Sequence, residues 1–139
     1  MAIDNLTIIG ERINPGFASV RALFDAGDMA GIQAVALEQV DKGARALDVN
    51  LGEKGEHDPA FAADVVRTLQ EATPVPLVFD SPSAAVQRSC LAAYDPAKAE
   101  GALPIVNSVS ELRWEIADLL RDYRFRIILM ASEREERGK

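Results

Sequence analysis

Three features of the sequence predict an α/β fold built on a parallel sheet. Five short apolar runs are spread over 139 residues, amphipathic stretches at helical spacing separate them, and the runs are hydrophobic on both faces. Strands buried on both faces, with helices between them, describe a parallel sheet covered by helices. The predicted order is β-α-β-α-β-α-β-α-β.

Each element has its own signal. The first strand is expected at Leu6-Thr7-Ile8-Ile9-Gly10. A helix follows from about Ser19, breaks near Gly27 and restarts with Asp28 as N-cap; Ile32, Val35, Ala36 and Val40 recur at helical spacing and Gly43 suits the C′ position. The second run, Ala44 to Val49, leads through Asn50 into a Gly- and charge-rich stretch from Gly52 to His57, expected to be a loop. Asp58-Pro59 reads as N-cap and N1 of a helix with the stripe Phe61, Val65 and Leu69. The third run, Val75 to Phe79, ends at Asp80-Ser81, and Pro82-Ser83 opens a helix bearing Val86, Cys90 and Leu91. The fourth, Leu103 to Val106, ends at Asn107-Ser108. Ser108 and Glu111 have the spacing of a capping box for a helix carrying Leu112, Ile116, Leu119 and Leu120, with Trp114 expected to pack. The fifth run spans Phe125 to Ala131, and residues 133–139 read as a charged tail beyond one domain, residues 1–132.

Composition removes several chemistries. With 48% hydrophobic residues, 27% charged and a net charge of −7, the chain suits one soluble globular domain and carries no basic footprint for nucleic acid. No run approaches the ~18 apolar residues of a membrane span, and the amino terminus lacks the pattern of a secretory signal, so a cytoplasmic location is expected. A lone Cys90, expected in the core, excludes an internal disulfide, and a lone His57, expected to be exposed, argues against zinc; no metal is expected. Gly10 to Gly16 matches neither the dinucleotide nor the P-loop pattern. None of the four lysines sits at a strand end, which leaves Schiff-base chemistry without a candidate.

Polar residues gather at the strand ends: Glu11, Arg12 and Asn14 after the first, Asp48 and Asn50 at the second, Asp80 at the third, Asn107 at the fourth. In parallel α/β folds this is the functional face. Helix caps and turns account for Ser81, Ser83 and Ser108. They account less well for Asp48 and Asn50, which stand well ahead of the next cap at Asp58. Four strands ending alike favour a polar pocket of carboxylates and carboxamides, suited to a polar heterocycle.

These same residues carry a resemblance. Ile9-Gly10-Glu11-Arg12-Ile13-Asn14 resembles the opening motif of the pterin-binding methyltransferases, which include methyltetrahydrofolate:corrinoid protein methyltransferases and the folate domain of cobalamin-dependent methionine synthase. Gly43-Ala44-Arg45-Ala46-Leu47-Asp48-Val49-Asn50 is similar to the second-strand motif, Phe79-Asp80-Ser81 to the third and Ile105-Val106-Asn107-Ser108 to the fourth. The Asn-Val-Thr-Pro-Asp-Ser-Phe signature of dihydropteroate synthases, which share the pocket, is absent.

The resemblance implies a (β/α)8 barrel with the pterin at its C-terminal face. It implies that Asp80 and Asn107 hydrogen-bond the ring, that Asp48 and Asn50 line the pocket, and that Glu11, Asn14 and Arg12 shape its floor. An Arg12 pair with Glu11 or Asp48 is the structural alternative. The chemistry is compatible, because a carboxylate can accept the pterin 2-amino and N3–H donors together. The implied reaction moves the N5-methyl group of methyltetrahydrofolate to the cobalt of a corrinoid, or back. N5 must gain positive character to leave. In the family the groups serving that step come from later strands, so no catalytic residue is assigned in this chain. The corrinoid is expected on a separate partner protein, since no Asp-x-His-x-x-Gly motif occurs. A full barrel takes about 250 residues, so five strands correspond to its first half. Self-association, or a second half-barrel chain, is the expected complement; a non-catalytic pterin-binding or assembly module is the alternative.

Overall fold

The computed structural model describes residues 5–131. Strands β1 (Ile9–Ile13), β2 (Ala46–Val49), β3 (Leu77–Asp80), β4 (Ile105–Val109) and β5 (Arg126–Leu129) form one sheet. All four neighbour pairs are parallel and the spatial order is β1-β2-β3-β4-β5. A doubly wound sheet reverses its strand order at a switch point. This sheet never does, which is the progression of successive β/α units in a (β/α)8 barrel. The predicted fold class is therefore the observed one, and the strand order is that of a barrel segment rather than of a doubly wound sheet.

Helices α1 (Ala18–Ala26), α2 (Met29–Asp41), α3 (Gly52–His57), α4 (Pro59–Ala72) and α5 (Ala84–Ala93) connect the first four strands. Two 3-10 helices, Pro96–Ala99 and Trp114–Arg121, follow α5 and β4. Several expected caps are in place. Asp28 accepts from Gly31 N at 2.9 Å, Asp58 from Phe61 N at 2.9 Å and Ser83 from Val86 N at 3.4 Å. Gly27 closes α1 at φ 63° and Gly43 follows α2 at φ 106°, conformations in which an L side chain is strained.

The core lies between the helices and one face of the sheet. Leu47, Val49, Leu77, Phe79 and Val106 are all at most 2% exposed on that face, beneath Phe61, Val65 and Leu69 of α4 and Val86, Cys90 and Leu91 of α5. Full burial of one such Leu or Phe contributes roughly 1.5–3 kcal/mol. Burial pushes the Cys90 thiol up to about 12, as for an inert core cysteine.

Four expectations need correction. The first strand begins at Ile9 and runs through Glu11 and Arg12, while Leu6 and Ile8 stay exposed; pairing fixes the start, since Ile9 opposes Ala46. The stretch from Gly52 to His57 is a helix because tertiary contacts hold it. Lys54 Nζ donates to the Phe24 carbonyl and lies over the Phe61 ring, while Leu51 and Gly55 are buried. Ser108 does not open a capping box. It is a buried residue of β4, which continues to Val109 opposite Leu129, and Ser110 takes the turn instead by accepting from Leu112 N. The helix that follows is 3-10 and starts at Trp114. Its three-residue repeat buries Ile116 and Leu119 and turns Trp114 and Leu120 to solvent, and Leu112, in the turn before it, is exposed as well. β5, the last strand of the expected half-barrel, is exposed at all four residues. The charged tail at 133–139 lies outside the described residues.

Candidate functional site

Strand parity decides where the polar residues point. Asp80 pairs with Asn107, and Asp48 pairs with Val78, two residues before Asp80. Residues two apart on a strand share a face, so Asp48, Asn50, Asp80 and Asn107 all project from the face opposite the helices. They meet there. Asn50 Nδ2 donates to Asp80 Oδ2 at 3.4 Å, and Asn107 Nδ2 donates to Asp48 Oδ2 at 3.3 Å. Asn50 Oδ1 accepts from Gly52 N at 3.0 Å, which fixes its amide and starts the turn into α3.

Asp48 is only 4% exposed and has Asp80 beside it. Burial and the neighbouring Asp80 carboxylate raise its pKa to about 7, with a smaller push from Glu11 and an opposing pull from the Asn107 amide. Near neutrality the group therefore exists in both forms. A carboxylic acid and a carboxylate side by side, flanked by two carboxamides, can offer donors and acceptors along one edge of a planar heterocycle.

A family model described as "pterin binding enzyme" matches residues 12–139, nearly the whole chain. The chain belongs to the pterin-binding enzyme family.

Of the seven strand-end residues singled out in the sequence, four thus form one connected group at the ends of β2, β3 and β4 of this pterin-binding enzyme fold. Glu11 joins it only by charge. One extra residue in β1 between Gly10 and Ile13 makes a bulge, which leaves Glu11 beside Asp48 and turns Ile13 to the core. Asn14 stands apart: its Oδ1 accepts from Gly16 N at 2.8 Å and shapes the turn after β1. Arg12 pairs with neither Glu11 nor Asp48. Its guanidinium stacks on the Phe17 ring, 4.0 Å from the centroid.

A cavity of about 660 Å³ lies to one side, between the β1–α1 turn, α1 and α3. Arg21, Lys54, His57, Asp25 and Glu53 are among the residues that line it, and none of the four network residues does. His57 is exposed there, as expected. Among the described residues no helix is long and apolar enough to cross a membrane.

Sequence reasoning missed the glutamines that tie the site to its helices. Gln39 Oε1 of α2 accepts from Arg12 N at 2.8 Å, holding the bulged part of β1. Gln87 of α5, wholly buried, reaches the ends of β3 and β4. The signal was available: Gln87 sits inside the apolar stripe Val86, Cys90, Leu91, where a polar residue needs partners.

Proposed function

We propose that the chain binds the pterin ring of a tetrahydrofolate at the ends of β2–β4 and serves a methyltransferase that moves a methyl group between methyltetrahydrofolate and a corrinoid protein. The observation that carries this reading is the Asp48–Asn107 and Asn50–Asp80 network on the free face of a pterin-binding enzyme fold. In this reading Asp80 accepts the 2-amino and N3–H donors, and Asn107 completes the ring edge with its amide. Asp48 and Asn50 hold those two in place, and Glu11 and Asn14 border the pocket. Asp48 protonated near neutrality limits repulsion between the paired carboxyls. The methyl acceptor is a corrinoid on a separate protein, and the chain itself binds no metal.

The reading includes further strands docking on β5, from a second copy of this chain or from a second polypeptide, to complete the pocket. The exposed apolar residues of β5 favour this. Size-exclusion chromatography with light scattering tests it: self-association supports completion by a second copy, and a well-folded monomer at all concentrations removes that option. Methyltetrahydrofolate titration by calorimetry tests binding. Spectroscopic conversion between cob(I)alamin and methylcobalamin tests catalysis. Binding without turnover, alone or with a partner chain, would leave the non-catalytic module.

A further inference from the structure

Gln87 makes an unusual set of contacts for a core residue. Its Nε2 lies 2.9 Å from the Phe79 carbonyl, 3.0 Å from the Ser81 carbonyl and 3.4 Å from the Asn107 carbonyl. The first two carbonyls bracket Asp80 in the chain, and the third belongs to Asn107 itself. The backbone adds a bond from Ser81 N to the Asn107 carbonyl at 3.2 Å. One side-chain amide thus ties together the backbone beneath both ring-facing residues. Its Oε1 is buried and accepts no hydrogen bond. A hydrocarbon of equal volume would fill the position among Val86, Cys90 and Leu91 without leaving a buried acceptor unpaired. What the glutamine provides that a hydrocarbon does not is donors aimed at the ends of β3 and β4.

We propose that Gln87 is the positioning residue of the pterin site, acting through the backbone on the side chains of Asp80 and Asn107. This rests on the functional reading above only for its ligand. The geometric part stands alone: with Gln87 removed, the β3 and β4 ends lose their shared donor, and the Asn107 amide loses its alignment on Asp48. Gln70 is a fitting control. It is another buried helix glutamine, giving and accepting hydrogen bonds of 2.9 Å with the Asp95 backbone, away from the network.

The test compares the full chain as wild type, Gln87→Met and Gln70→Met by two readouts. The first is the side-chain amide resonances of Asn107 and Asn50 in 1H–15N spectra without ligand. The second is calorimetry with methyltetrahydrofolate. In Gln87→Met the Asn107 amide is expected to lose its hydrogen-bonded shift, and Kd to rise roughly tenfold, the weight of one good hydrogen bond. Gln70→Met is expected to leave both readouts at wild-type values. If Gln87→Met fails to fold, Gln87→Leu carries the same comparison. A folded Gln87 variant with an unchanged Asn107 amide overturns the proposal, whether or not the wild type takes up the pterin. A wild type that takes up none, with the Asn107 amide shifted in the variant, overturns the functional reading and leaves the positioning role standing.

Discussion

The ends of β2–β4 and the flank of β5 belong to one sheet and are finished in opposite ways. At the first, polar side chains are satisfied by one another, and Asp48 is buried beside its carboxylate neighbour. At the second, an apolar strand has a single neighbour among the described residues, and Leu129 is 70% exposed. The contrast teaches that the polar network does not depend on a closed sheet. Its partners all lie on three adjacent strands whose other face is sealed by α4 and α5. The polar network and sheet closure are therefore separable properties, and they can be broken separately.

The largest effect is expected in the sealed region. Leu77→Ala empties a fully buried position on β3 and is predicted to cost about 2–5 kcal/mol in urea unfolding. Next comes Asp48. Its folded-state pKa of about 7 lies above the ordinary 3.8, so between those values the native state keeps a proton that the unfolded chain has lost. The stabilisation is complete below the lower value and disappears as pH rises through the upper one, at about 1.4 kcal/mol per pH unit. Asp48→Asn should remove that slope, seen as a smaller stability difference between pH 5 and pH 7.5; parallel pH curves for variant and wild type would show that Asp48 holds no such proton. Asp58→Ala, which strips the cap of α4, is predicted to cost roughly 0.5–2 kcal/mol. The smallest effect is expected at the β5 edge when nothing is docked on it: in the monomeric chain Leu129→Ala should shift stability by no more than about 0.5 kcal/mol. A cost at Leu129 approaching that at Leu77 would mean that the β5 flank is covered in solution.

Much of this was readable from the residues. Alternating apolar runs and helical stripes gave the parallel α/β class, because burial on both faces leaves a strand no polar side to show. Asp48, Asn50, Asp80 and Asn107 stood out as polar endings that caps alone did not explain, and parity then placed them on one face. What escaped notice depended on contacts distant in the chain. The α3 helix is held by Lys54 on Phe24 and Phe61, the strand that keeps Ser108 is paired through Val109 to β5, and the bulge in β1 separates Glu11 from the core-facing Ile13. Asn14 was legible only as a polar residue after a strand; its turn bond to Gly16 is local geometry that competes with any pocket role. Gln87 was hidden by its company, since an apolar stripe draws attention to its hydrophobic members.

The central claim is that the β2–β4 network receives a pterin ring, with Asp80 as the principal acceptor. Calorimetric titration of methyltetrahydrofolate into wild type and Asp80→Ala, with Asp64→Ala on the exposed side of α4 as control, tests it most directly. The account predicts saturable binding to wild type and to the control, weakened by about 1–3 kcal/mol in Asp80→Ala. Equal affinity in all three proteins, or no binding to wild type, would contradict it.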